Sequence, residues 1–157
     1  MINPDEIRNN FFLTAQSDSS IRRIYFESCR YLARAKSFSR PEDKFLNLGI
    51  ATEIALLQDD SGHRVDQLSA QFRLRGARLI GNSVEERKKV QDRLRELYNI
   101  RSQIAHTGLS SQLTKQTKNS TTDEKNSYFR GHCELTERIL RVISINGFPD
   151  WEKLLLE

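Results

Sequence analysis

The chain has 157 residues, 37% hydrophobic and 29% charged, with a formal net charge of +4. That length predicts one domain with a real core, no apolar run approaches the ~20 residues of a membrane helix, and MINPDEIRNN has neither the basic start nor the apolar centre of a secretory signal. Two cysteines, Cys29 and Cys133, are too few for a disulfide framework and lack metal-site spacing, so a cytoplasmic protein with no membrane partner is expected.

Only three prolines and seven glycines interrupt a sequence rich in Leu, Ile, Arg, Glu and Ala, which predicts an all-α fold. Residues 1–18 show no clean period and read as an irregular arm or linker, with one helical domain over 19–157. A first helix starts at Ser19 or Ser20 as N-cap and runs to about Ser37, with Ile21, Ile24, Tyr25, Ser28, Leu32 and Ala35 inward. A second opens at Pro41, with Glu42 and Asp43 at its positive dipole end, and runs to about Leu57 through Phe45, Leu46, Ile50 and Ile54. Gln58 to Gly62 is a turn. The third helix spans about Val65 to Ile80, with Leu68, Phe72 and Leu79 inward.

Ser83-Val-Glu-Glu86 is a capping-box sequence that opens a fourth helix, which Gly108 ends after about Thr107. The polar stretch from Leu109 to Asn119 reads as a mobile loop. A second capping-box sequence, Thr121 to Glu124, starts a last long helix that ends near Asn146-Gly147. Phe148 to Trp151 leads into a short terminal turn. About five helices in antiparallel hairpins make a bundle.

The charge is uneven. Residues 1–63, 64–101 and 102–157 carry net charges of −1, +5 and 0. The whole excess therefore leads into RSQIAH, residues 101–106, as a polyanionic substrate would require; a solvated helix face is the plainer alternative. Counting back from Arg101, Leu97, Leu94 and Val90 recur at spacings of four, three and four, the period of one helix face. Arg101 continues that stripe and Ile104 resumes it. A guanidinium keeps its charge, so at such a position it needs a partner or a purpose. His106 follows five residues later, and an imidazole ordinarily titrates near neutrality.

From Phe45 to Gly108 the chain resembles the Apea-like branch of the HEPN domains, small helical domains that include many ribonucleases. The resemblance is carried by GIATEIALL with its single Glu53, by FRLRGARLIG, residues 72–81, and by ELYNIRSQIAHTG, residues 96–108, which holds an R-x4-H motif. It covers about 40% of the chain. Many members of the broader class place Asn, Asp or His after the arginine, where this chain has Ser102. A tyrosine that is modified in some HEPN toxins is replaced by Gly108.

The resemblance implies a HEPN-like bundle and metal-independent cleavage of RNA to a 2′,3′-cyclic phosphate, with no cofactor and no bound metal. Arg101 and His106 would be the catalytic pair, with Ser102, Tyr98, Arg75 and Arg78 in support or against substrate. It further implies a toxin or antiviral effector, a homodimer with a composite site, and an antitoxin or sensor domain as partner. A catalytically inactive HEPN module that binds nucleic acid or protein is the alternative.

Each of these residues also has a plainer role. A single arginine near a buried stripe pairs more often with an internal acid, and a helix-end histidine often caps carbonyls. Glu53, between Ile50 and Ile54, is expected in a structural ion pair with Arg75 or Arg78. Tyr98 reads first as core, Cys29 and Cys133 as small apolar groups, and His63 and His132 as surface residues. Residues five apart on an ideal helix point about 140° apart. Arg101 and His106 therefore need either a loosened helix end or a second copy of the chain.

Overall fold

The computed structural model describes residues 19–57 and 65–156. The arm at 1–18, the turn from Gln58 to Gly62 and His63 lie outside the described residues. Among the described residues there are seven helices and no strand. They are α1 Ser19–Ser37, α2 Pro41–Leu57, α3 Val65–Ile80, α4 Val84–Thr107, α5 Ser111–Thr117, α6 Thr122–Asn146 and α7 Trp151–Leu156. No described helix is long and apolar enough to cross a membrane. The all-α class is as expected. The elements beyond the expected five are α5, in the stretch read as a mobile loop, and the short α7.

Helix starts follow local chemistry. Pro41 occupies the first position of α2, ahead of Glu42 and Asp43. At α6 both arms of the capping box form: Glu124 N–H donates to Thr121 Oγ1, and Thr121 N–H donates to the Glu124 carboxylate. At α4 only one arm takes that form. Glu86 N–H donates to Ser83 Oγ, while the Glu86 carboxylate reaches back to Asn82 N–H at 3.0 Å.

α2 is the central helix, in contact with α1, α3, α4 and α6. The long aliphatics expected to face inward, Leu46, Ile50, Ile54 and Leu57, are only half-buried. The buried positions are Phe45, Leu48, Gly49, Ala51, Thr52, Ala55 and Leu56. Small residues let neighbouring helices approach closely, so the face that looks weaker by hydropathy packs deeper. Two buried hydroxyl bonds tie this face down. Ser28 Oγ on α1 donates to Ala51 O at 2.6 Å, and Thr52 Oγ1 meets Thr136 Oγ1 of α6 at 2.8 Å.

The stripe Val90, Leu94, Leu97 and Ile104 of α4 is buried as expected. Ile100, fully buried, takes the stripe position between Leu97 and Ile104. Arg101 consequently flanks the stripe instead of interrupting it. On α3, Phe72 is in the core while Leu68 and Leu79 are half-buried.

Candidate active site

The last two turns of α4 run straight into a closed helix end. The segment stays α-helical to Thr107, and Gly108 ends it with φ +75°, its N–H donating to Ile104 O at 2.7 Å. That left-handed conformation suits glycine and not a residue with a Cβ. The helix end does not loosen, so Arg101 and His106 remain about 140° apart around one axis.

Arg101 leans across α2. A Cβ placed on Gly49 would stand 2.6 Å from both Cβ and Cγ of Arg101, so the glycine is the gap through which the arginine stem passes. Beyond it the guanidinium donates to the Glu53 carboxylate in a partly buried ion pair. About a quarter of each side chain stays exposed, 28% for Arg101 and 24% for Glu53. Glu53 is therefore ion-paired as expected, but to neither Arg75 nor Arg78. Gly49 and Glu53 are one turn apart, so the arginine that fits over the glycine meets the acid.

Burial raises the Glu53 carboxyl above the usual carboxylate range, and the Arg101 charge only partly opposes this. Tyr98, one turn before Ser102, is half-buried with its ring 5.4 Å from Phe72. Burial, then the charge on Glu53, pushes its hydroxyl up. Glu53, Tyr98 and Arg101 thus form one electrostatic cluster on one side of α4. Ser102 is half-buried beside it. His106 is exposed on the last turn, on a different face.

The other two arginines are placed differently. Arg75 is buried, donates to Leu56 O at 2.8 Å and lies 4.9 Å from the Trp151 ring centre. It fastens α2, α3 and α7 together. Arg78 is half-buried near the end of α3.

His132 corrects a further expectation, because it is buried and not on the surface. It lies one turn before Thr136 on a stripe continued by Ile139 and Ile143, a pattern that could have revealed its burial. Its Nδ1 donates to Tyr128 O at 3.1 Å, since a carbonyl can only accept. Its Nε2 stands 3.3 Å from Glu96 Oε2, at ion-pair distance but off the line of a good hydrogen bond. Glu96 also accepts from Tyr128 Oη at 2.7 Å and from Gln112 Nε2 of α5 at 3.2 Å. His132 first, and then Tyr128, hold the Glu96 carboxyl down at about 2 against the opposing effect of burial. Burial and Glu96 raise the Tyr128 hydroxyl. Phe45 packs against Tyr128, Phe129 and His132 at ring separations of 5.4 to 5.6 Å. This network is structural, with its imidazole enclosed by aromatic rings.

Cys133 is buried and Cys29 half-buried, as small apolar groups. Three clefts open on the surface of the described residues. One between α4 and α6 contains Glu86 and Glu134 beside its cations. A second, against α6, contains Glu134 and Glu137. The third, of about 610 Å³, lies between the end of α4 and α5, with Lys115 and Lys118 in its wall and no acid. Sequence patterning does not reveal this cleft, because the polar composition of its wall predicts a loop. No family model matches the chain, and no curated protein or solved structure matches it.

Proposed function

We propose that the protein is a HEPN-like bundle acting as a metal-independent endoribonuclease, with Arg101 and His106 as its catalytic pair in a twofold dimer. One observation carries this reading: both residues of the R-x4-H motif reach solvent on the last two turns of α4, one held in orientation and the other exposed with no hydrogen bond among the described residues. Glu53 and the Gly49 gap fix the direction of the guanidinium. His106 is exposed on another face, where a second protomer's Arg101 can complete it.

In this chemistry His106 takes the proton of a ribose 2′-hydroxyl. The 2′-oxygen bonds to phosphorus, and the bond from phosphorus to the 5′-oxygen breaks. The leaving oxygen takes a proton, which gives a 2′,3′-cyclic phosphate and a 5′-hydroxyl. Arg101 offers two N–H groups to the phosphoryl oxygens as their charge grows. Tyr98 and Ser102 border the arginine and shape its surroundings. The setting in defence or toxicity, and an antitoxin or sensor as partner, belong to the same proposal.

A second reading has its own observation. The ion pair with Glu53 neutralises Arg101, as in a catalytically inactive module that binds RNA or protein through this end of the bundle. RNA cleavage in EDTA by the wild type, Arg101→Ala and His106→Ala separates the two. The nuclease reading expects cleavage by the wild type and losses of at least a hundredfold in both variants. Equal cleavage by all three removes the assigned roles, and cleavage by none favours the binding module.

A further inference from the structure

α5 is held against the end of α4 by a small set of contacts. Leu113 is buried, and Ser110 caps α5 by accepting from Leu113 N–H. Ser110 Oγ and Ser111 Oγ approach Gln103 Oε1 at 2.9 and 3.5 Å. Since the oxygen of the Gln103 amide is engaged in this way, its NH2 end is left to donate, and it makes no hydrogen bond among the described residues. Lys115 and Lys118 are exposed and make no ion pair among the described residues. Leu109, 60% exposed, lines the same cleft with an apolar surface.

The position of this cleft follows from helix geometry. At about 100° per residue, the order around the end of α4 is Arg101, Ser102, His106, Gln103 and Thr107. His106 lies between the arginine side and the cleft side. A polyanion crossing His106 therefore enters a cleft whose charged wall is wholly cationic, whereas the other two clefts present carboxylates.

We infer that this cleft is the strand-binding subsite for single-stranded RNA: Lys115, Lys118 and the Gln103 NH2 hold backbone phosphates next to the linkage at His106, and Leu109 lies against a base. The inference rests on the ribonuclease reading for what happens at His106. The binding itself requires only charge and shape.

The test is fluorescence anisotropy with a short labelled single-stranded RNA on the full chain. The His106→Ala variant is compared with the same variant carrying Lys115→Glu and Lys118→Glu. A control pair on exposed residues elsewhere, Lys125→Glu with Lys153→Glu, makes the same change in net charge. The cleft pair is expected to weaken binding at least tenfold at low salt. It should also reduce the slope of log K against log salt by roughly 1.4, two contacts at about 0.7 each. The control pair should move both far less. Equal weakening by the two pairs, or no RNA binding at all, overturns the inference.

With Arg101 and His106 intact, Lys115→Gln with Lys118→Gln should raise KM severalfold and leave kcat nearly unchanged. Cleavage with an unchanged KM ends the inference while the nuclease reading stands. Binding governed by the cleft pair in a protein that cleaves nothing keeps the inference and removes the nuclease.

Discussion

The stem of Arg101 crosses α2 in the space where residue 49 has no side chain. A Cβ on Gly49 would lie 2.6 Å from two stem atoms, closer than packed carbons approach. One of those atoms is the Cβ of Arg101, which moves only with its backbone. Gly49→Ala should gain roughly 0.5–1 kcal/mol from helix propensity and lose about 1–3 kcal/mol to overpacking. Urea unfolding should show net destabilisation, and RNA cleavage should fall with the displaced guanidinium. A variant as stable and as active as the wild type would mean that the crossing carries no strain and no function.

Glu53 gives a pH signature of unusual sign. Its carboxyl is raised in the folded protein, so its contribution is fully present below the unfolded carboxylate pKa and is lost as pH rises through the higher folded value. Relative to Glu53→Gln, the wild type should lose stability as pH rises from the ordinary carboxylate range toward neutrality. Paired urea titrations across that range measure the difference. A relative gain with rising pH would contradict the burial that dominates the shift.

Glu96 behaves in the opposite way. With its carboxyl held at about 2 against an ordinary 4.5, its contribution is present above 4.5 and disappears as pH falls toward 2. The difference corresponds to about 3 kcal/mol. Glu96→Gln should be less stable than the wild type by about that amount at pH 7, and the gap should close in acid. A gap that stays constant from pH 7 to pH 3 would assign the loss to packing instead.

The proposed composite site predicts complementation. Neither Arg101→Ala nor His106→Ala should cleave RNA alone, but dimers with one copy of each contain one complete Arg–His pair of two. Statistical exchange then restores about a quarter of wild-type activity. A mixture as inactive as its components would place Arg101 and His106 of one protomer in the same site.

Both thiols should be sluggish. Burial pushes Cys133 up to about 11 and raises Cys29 as well, so little thiolate is present at pH 8. A disulfide reagent should titrate neither in the native protein within minutes, and both after unfolding. Fast native reaction of one equivalent would show that a thiol is held ionised.

What the sequence could reveal follows from which forces are local. Capping at Thr121, the stop at Gly108 and the α4 stripe depend on neighbours within a turn, and those signals were legible. The partner of Glu53 was not, because it lies 48 residues away and is chosen by a gap at Gly49 that appears only when α2 and α4 cross. Hydropathy misplaces the inward face of α2 for a related reason: Ala51, Thr52 and Ala55 are weak hydrophobes that become core by allowing close approach. α5 was hidden because seven polar-rich residues carry one buried leucine and depend on contacts with Gln103 and Glu96. His132 was visible in principle on the stripe with Thr136, Ile139 and Ile143, but the acid that accompanies it sits on another helix.

The two buried hydroxyl bonds bear on more than stability. Apolar side chains resist separation of two helices but tolerate a slide along them, since a shifted contact buries nearly as much surface. A hydrogen bond at 2.6 or 2.8 Å does not tolerate it. Ser28 to Ala51 and Thr52 to Thr136 index α2 against α1 and α6 at two successive residues, and Gly49 and Glu53 flank that pair in sequence. The gap at Gly49 and the acid at Glu53 that receive Arg101 are thereby set against α1 and α6 from beneath, by uncharged hydroxyls that never meet solvent.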